Sequence, residues 1–288
     1  MYKLIAIDLD GTLLNSYGEI SQGNREAIEY ALKNNVEVVL ASGRDPKTME
    51  KISLNLGINN YLIAGNGASI YDIKQEKNIY EKFIKQEKAL KIIQICKDNS
   101  IFLNLYTDKG IITESLNFNV KVFNSENTHK ALEKQTNIEV VNDLYQYTKY
   151  NKLNILKIII CDESKIIFNN IIQKLKMIGG VEVLDVEHMS RKKIRIGTEE
   201  IDVEYFYTEI SSKNVDKWNA IEFLTEKLQI KKEEVICIGD NINDKKMVEN
   251  AGIGIAMGNS ALAVNNIGDF ITEDNNSDGV KIAIYKYI

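Results

Sequence analysis

The 288-residue chain carries one proline, one tryptophan, two histidines and three cysteines. Cys96, Cys161 and Cys237 stand far apart and form no Cys-x-x-Cys pair. With only His129 and His188 besides, a structural zinc cluster is excluded. The two histidines are isolated and read as surface or core residues. Cys161 and Cys237 lie in apolar runs and read as small buried hydrophobes, so nothing argues for an oxidising compartment. No apolar stretch reaches the ~18 residues a membrane span needs. The apolar opening Met1–Ile7 meets an acid at Asp8, too early for a signal-peptide core, and a cytoplasmic protein is expected. A basic excess is also missing: the net charge is -5, against the pattern of a general nucleic-acid binder. A small anionic ligand stays compatible, because a site can be locally positive in an acidic protein. No feature calls for an obligate protein partner. At 44% hydrophobic and 27% charged residues, the composition excludes a disordered tail, a collagen and a disulfide scaffold.

With proline confined to Pro46, boundaries rest on glycine, asparagine and changes of period. The run from Lys3 to Leu9 predicts a short buried strand, and Ser21 precedes a helical pattern through Ala27, Ile28, Ala31 and Leu32. A second strand follows at Val36 to Leu40. Asp45-Pro46 is an N-cap with proline at the first helical position, opening a helix to about Leu56. Tyr61 to Ala64 gives a third strand. This alternation predicts right-handed parallel crossovers. The rhythm then changes. A hairpin is expected at Ile70 to Ile73 and Asn78 to Phe83. Two long helices, near 86–99 and 163–176, follow among short strands at Phe102 to Tyr106, Ile155 to Cys161, Val181 to Val186 and Val203 to Glu209. Alternation returns with a helix from Val215 to Leu228 and strands at Val235 to Ile238 and Gly252 to Ala256. The order predicts an α/β protein: a doubly wound, Rossmann-like parallel-sheet core, residues 1–82 and 211–288, interrupted by an α+β domain at 83–210.

In such a sheet, ligands sit at the carboxyl ends of the strands. Four predicted strand ends there carry small, polar or acidic residues. They are Asp8-Leu9-Asp10-Gly11-Thr12, Ala41-Ser42-Gly43-Arg44, Gly65-Asn66-Gly67-Ala68 and Gly239-Asp240-Asn241-Ile242-Asn243-Asp244. Asp8, Asp10, Asp240 and Asp244 would crowd negative charge into one crevice, which is costly without a cation. Oxygen-only ligands point to a hard ion, Mg²⁺ by default. A carboxylate beside Mg²⁺ can attack phosphorus, and a second one two residues later can protonate the leaving oxygen and then activate water. Ser42 is a candidate phosphate hydroxyl, with Gly43 allowing close backbone approach. Gly11 and Arg44 are further phosphate-binding candidates, whereas Asn66-Gly67 is either a turn or part of the site.

In their order, these motifs resemble the haloacid dehalogenase superfamily, Cof-type phosphatase branch. The matching runs are Asp8-Leu9-Asp10-Gly11-Thr12-Leu13-Leu14, Ala41-Ser42-Gly43-Arg44, Ser211-x-x-x-Val215-Asp216-Lys217 and Gly239-Asp240-Asn241-Ile242-Asn243-Asp244-x-x-Met247. Gly252 to Asn259 and Asp278-Gly279-Val280 complete them. The resemblance implies a phosphatase for small phosphate esters, such as sugar phosphates or phosphorylated cofactors, acting through an aspartyl-phosphate. It implies Asp8 as nucleophile, Asp10 as general acid and base, and Ser42 and Lys217 on the phosphoryl oxygens. Mg²⁺ would sit on Asp8, the Asp10 carbonyl and Asp240, with Asp244 through water. Asn243 would help position the phosphate or a metal ligand. The insertion would be a cap that excludes water and selects the leaving group. One departure stands out: the family usually follows its lysine with glycine and a small residue, and here Trp218 and Asn219 follow. Trp218 is expected to be a packing residue under the cap. A phosphoryl-transferring mutase and a non-catalytic phospho-ligand sensor could use the same residues.

Other signals fall away. Gly252-Ile253-Gly254-Ile255-Ala256-Met257-Gly258 lacks the spacing of a dinucleotide fingerprint and reads as a strand and tight turn. Arg191-Lys192-Lys193-Ile194-Arg195 reads as a lysine-protected strand edge, with an anion clamp as the alternative. Met247 reads as core. The sequon Asn275-Asn276-Ser277 has no meaning in a cytosolic protein.

Overall fold

The computed structural model describes residues 1–128, 135–184, 189–196 and 199–288. His129 and His188 lie outside them. The chain forms two compact units, Met1–Glu81 with Val215–Ile288, and Lys82–Asn214. The sequence reading set these boundaries at 82 and 211. The last strand of the second unit runs on through Ser212, which carries the second boundary later.

The first unit is built on an eight-stranded sheet. From the centre outward it contains β1 (Leu4–Ile7), β2 (Glu37–Ala41) and β3 (Tyr61–Ala64), then β4 (Ser69–Asp72) and β5 (Lys77–Glu81). On the other side of β1 lie β13 (Val235–Gly239), β14 (Ile253–Ala256) and β15 (Phe270–Ile271). Strands β15 through β3 are parallel, and β4 and β5 run antiparallel. Both faces of the sheet's centre are covered, so the central strands β1 and β13 are apolar and buried at every position. Ile5, Ile7, Val38 and Leu40 join one core, with α1 (Gln22–Lys33), α2 (Pro46–Leu54) and the C-terminal helix Gly279–Tyr287 on that side. Leu4, Ala6, Val39 and Ala41 join the other, under α7 (Lys217–Leu228) and α8 (Lys245–Asn250). Fully burying each of the leucine, isoleucine and valine side chains contributes about 1.5–3 kcal/mol. Trp218 belongs to this second core, with Ile63 and Ile70, so its role is packing within the first unit's own sheet–helix layer. The crossovers leave β1 in one direction through β2 and β3. From β13 they leave in the other, so the strand order reverses between β1 and β13.

The second unit has a mostly antiparallel sheet ordered β10 (Val181–Val183), β12 (Glu199–Ser212), β9 (Ile155–Asp162), β6 (Phe102–Thr107), β7 (Gly110–Thr113) and β8 (Ile138–Val140). Strand β11 (Met189–Ile196) pairs with β12. Helices α3 (Gln86–Asp98), α5 (Leu144–Tyr150) and α6 (Lys165–Lys176) supply one core against the sheet. A smaller aromatic cluster of Phe102, Tyr106, Tyr205 and Tyr207 sits with Phe118 of α4 (Phe118–Asn127). Helices α4 and α5 and strands β7 and β8 are additions to the sequence-based expectation. Arg191 and Lys192 do lie on an edge strand, where Arg191 pairs with Glu204 at 3.0 Å.

Candidate active site

The register sets the site. Ile7 is level with Leu40 on one side and Ile238 on the other. Asp8, Ser42 and Asp240 therefore leave neighbouring strands at the same end, on either side of the reversal point. Asp8, Asp240 and Asp244 each offer an oxygen, all within 4.8 Å of one another. Lys217, the first residue of α7, is fully buried among them. Its Nζ lies 2.5 Å from Asp8 Oδ1 and 2.5 Å from Asp244 Oδ1. A cation at a helix N-terminus opposes the helix dipole, and these two carboxylates offset that cost. Asp244 Oδ2 accepts from the backbone N–H groups of Asp240 and Asn241, each at 3.0 Å. Asp244 thus has both oxygens engaged and holds the lysine and the Asp240 turn in place.

The electrostatics are strained in one direction. Burial, then the charge of Asp244, pushes the Asp8 carboxyl well above its usual range, against the pull of Lys217. Burial raises Asp240 to about 6, with Asp244 adding to the rise and the Thr12 hydrogen bond opposing it. Lys217 itself is desolvated, but Asp244 and Asp8 outweigh this and raise it. Three carboxylates against one ammonium leave an excess of negative charge in a buried crevice, the condition that favours a bound cation.

Asp10 contrasts with Asp8. Its side chain is 58% exposed, whereas that of Asp8 is 6% exposed. The Arg44 guanidinium donates to both Asp10 oxygens, at 2.6 and 2.9 Å. Arg44, expected on phosphate, is thus placed on Asp10, in the planar two-pronged geometry that suits carboxylate. Ser42 is buried, its Oγ accepting from the Arg44 N–H at 3.3 Å. Gly43 links the two. Asn243 donates to Asn66 Oδ1 at 3.0 Å, so these two candidates meet each other. Asn66 holds a left-handed conformation (φ 57°) in a single 3-10 turn after β3. Gly67 lets that turn press on the start of α7: a Cβ there would run into the Asp216 carbonyl just before Lys217. At Gly11 (φ +89°) a Cβ would meet the Asp240 carboxylate.

Sequence reasoning gave no role to Thr12, whose hydroxyl donates to Asp240 Oδ1 at 2.8 Å. It also left Asn259 unassigned, and this residue's amide reaches the Gly11 carbonyl at 2.8 Å. Both stood inside quoted motifs; only their partners were hidden.

A doubly wound sheet with buried carboxylates and a lysine at its reversal point defines a phosphate-chemistry enzyme of the α/β class. The sequence model of the haloacid dehalogenase-like hydrolases matches residues 5–284, and the chain belongs to this family, in its Cof-type phosphatase branch. It is 31% identical over 287 residues to phosphatase YwpJ of Bacillus subtilis, covering 96% of this chain and 97% of that one. It is 28% identical to the 5-amino-6-(5-phospho-D-ribitylamino)uracil phosphatase YcsE of the same organism, over 99% of this chain and 96% of that one. The crystal structure of a haloacid dehalogenase-like hydrolase from Bacteroides thetaiotaomicron superposes with a TM-score of 0.80 at 27% identity, over all of both chains. The chain is a phosphatase of this family. Among the described residues, no helix is long and apolar enough to cross a membrane.

Proposed function

We propose that the chain is a Mg²⁺-dependent phosphomonoesterase for small organic phosphates, such as sugar phosphates or phosphorylated cofactors, working through an aspartyl-phosphate on Asp8. The carrying observation is the pair of unlike carboxylates: Asp8 buried against Lys217, and Asp10 exposed two residues on. Lys217, together with a bound cation, favours the ionised form of Asp8 that attack requires, and the exposed Asp10 is within reach of the leaving group and of water. An Asp8 oxygen attacks phosphorus and the bond to the ester oxygen breaks. The leaving alkoxide takes the proton of Asp10. Water then attacks the phosphoryl group, giving a proton back to Asp10, and the acyl–phosphate bond breaks to free Asp8 and inorganic phosphate. Ser42 and Lys217 hold the phosphoryl oxygens; Gly11, Gly43 and Asn243 shape the cradle around them, and Asn66 supports Asn243. Arg44 aims Asp10.

The donor set of carboxylates fits a hard divalent ion. Asp8, Asp240 and the Asp10 carbonyl would hold it, with Asp244 reaching it only through water. When bound, it supplies positive charge to the phosphoryl oxygens. The inserted unit 82–214 is the part assigned to leaving-group choice.

The test is phosphate release from a panel of sugar, nucleotide and cofactor phosphates, with and without Mg²⁺, beside Asp8→Asn. Mg²⁺-dependent release that vanishes in Asp8→Asn is expected. Turnover that survives the substitution overturns the aspartyl-phosphate.

A further inference from the structure

Asn259, which ends one of the sequence motifs, does no chemistry in the scheme above, and neither do Asn275 and Asn276. What they do is visible in the backbone of the Asp8–Ser16 loop. That loop closes partly on itself: Leu13 N–H donates to the Asp8 carbonyl at 3.2 Å and Leu14 N–H to the Leu9 carbonyl at 2.8 Å. Its outward backbone groups are met by three asparagines from elsewhere in the first unit. Asn259 Nδ2 donates to the Gly11 carbonyl at 2.8 Å. Asn275 Nδ2 donates to the Leu14 carbonyl at 2.8 Å. Asn276 Oδ1 accepts from the Ser16 N–H at 3.0 Å. Asn259 and Asn275 are themselves joined, the Asn275 N–H donating to Asn259 Oδ1 at 3.1 Å.

From this geometry we infer that Asn259, braced by Asn275, is a positioning residue for the phosphatase reaction, acting through the Gly11–Thr12 peptide. Gly11 has a positive φ and no side chain, so the peptide after it is the one most free to turn over. Its neighbours leave no tolerance for that. Asp10 precedes it with the carboxylate held by Arg44, and Thr12 follows with its hydroxyl on Asp240. A grip on the Gly11 carbonyl therefore fixes both carboxylates at once. Asn259 is exposed, yet both ends of its amide are committed to backbone, which is the use of an exposed amide that ordering a loop requires. Asn276 grips the loop's outer end, beyond these groups.

The inference rests on the proposed catalytic roles of Asp8 and Asp10, and its test has a reading independent of them. Asn259→Ala and Asn259→Asp are compared with Asn276→Ala and wild type. The aspartate keeps the acceptor for Asn275 N–H and loses the donor to Gly11. Both Asn259 variants are expected to lower kcat about tenfold or more, since small misplacements cost that much. KM should stay within about threefold, as for loss of a contribution made in the transition state. Asn276→Ala should stay within about twofold of wild type in both. Amide hydrogen exchange should quicken in the peptide covering 9–14 in both Asn259 variants and not across β2 or α7. Unchanged exchange in 9–14, or kcat per folded molecule like that of Asn276→Ala, overturns the assignment. Loosened exchange in a protein whose wild type releases no phosphate would instead sink the hydrolase mechanism and leave Asn259 as the holder of the loop.

Discussion

Lys217→Met offers the sharpest test of the site's electrostatics. Methionine matches the length of the lysine stem, so the substitution removes the charge and leaves the packing nearly full. In wild type the ammonium lies 2.5 Å from both Asp8 and Asp244, and none of the three side chains is more than 6% exposed. Taking away the cation leaves two buried carboxylates facing each other. Breaking a buried ion pair by removing one partner costs about 3–5 kcal/mol. For a unit of this size that corresponds to a fall of about 10 °C in its thermal midpoint. The pH dependence is the diagnostic part. Without Lys217 nothing opposes the burial and the Asp244 charge that raise Asp8, so Asp8 holds its proton more tightly folded than unfolded, acid favours the folded state and the deficit shrinks as pH falls. The assay is thermal unfolding of both proteins in EDTA at pH 8 and pH 5. A deficit near 10 °C at pH 8 that narrows sharply at pH 5 is expected. Equal midpoints at pH 8, or a deficit that ignores pH, would refute the reasoning.

The metal-free wild type should show a milder form of the same behaviour. Asp240 is raised to about 6 and Asp8 moves the same way, so the stability these groups contribute is present in acid and lost as pH rises through about 6. The midpoint in EDTA should therefore fall between pH 5 and 7, by less in Asp240→Asn, and added Mg²⁺ at pH 7 should restore it; a midpoint that rises across this window in EDTA contradicts the scheme. Trp218→Ala should cost about 3–5 kcal/mol by urea unfolding, as for other large buried side chains. Its KM for small phosphates should stay unchanged, and a large KM shift would place the indole in the phosphate site instead.

Much of the first unit was legible because its strands are short, apolar and followed by chemistry. Tyr61–Ala64 and the Asp45-Pro46 helix start came directly from residue type. The second unit was harder. The run Phe118–Asn127 has no clear apolar period and three asparagines, and its N-cap residue Asn117 makes no side-chain capping bond. It is helical because it packs against β11 and β12, a tertiary cause. Strand β11 was read as a basic stretch on an edge, and its length shows only through pairing with β12. In the site, residue types were readable and their partners were not. Arg44 looks like a phosphate ligand by type, and only the approach of the β1 and β2 ends shows it gripping Asp10. Thr12 and Asn259 lie 228 and 248 positions from the groups they bind, a separation no local pattern reports.

The order of synthesis meets this architecture in a particular way. Asp8 leaves the ribosome 209 residues ahead of the lysine that neutralises it. At bacterial or eukaryotic elongation speeds the gap lasts about 10–40 s. Throughout that time the central strand β1 has β2 and β3 available on one side, while β13, its neighbour on the other, is still unmade. The whole inserted unit is complete before the second half of the sheet exists. Asp8 therefore stays outside any finished crevice until Lys217, Asp240 and Asp244 have been made, and the site is completed only by the return of the chain to the first unit.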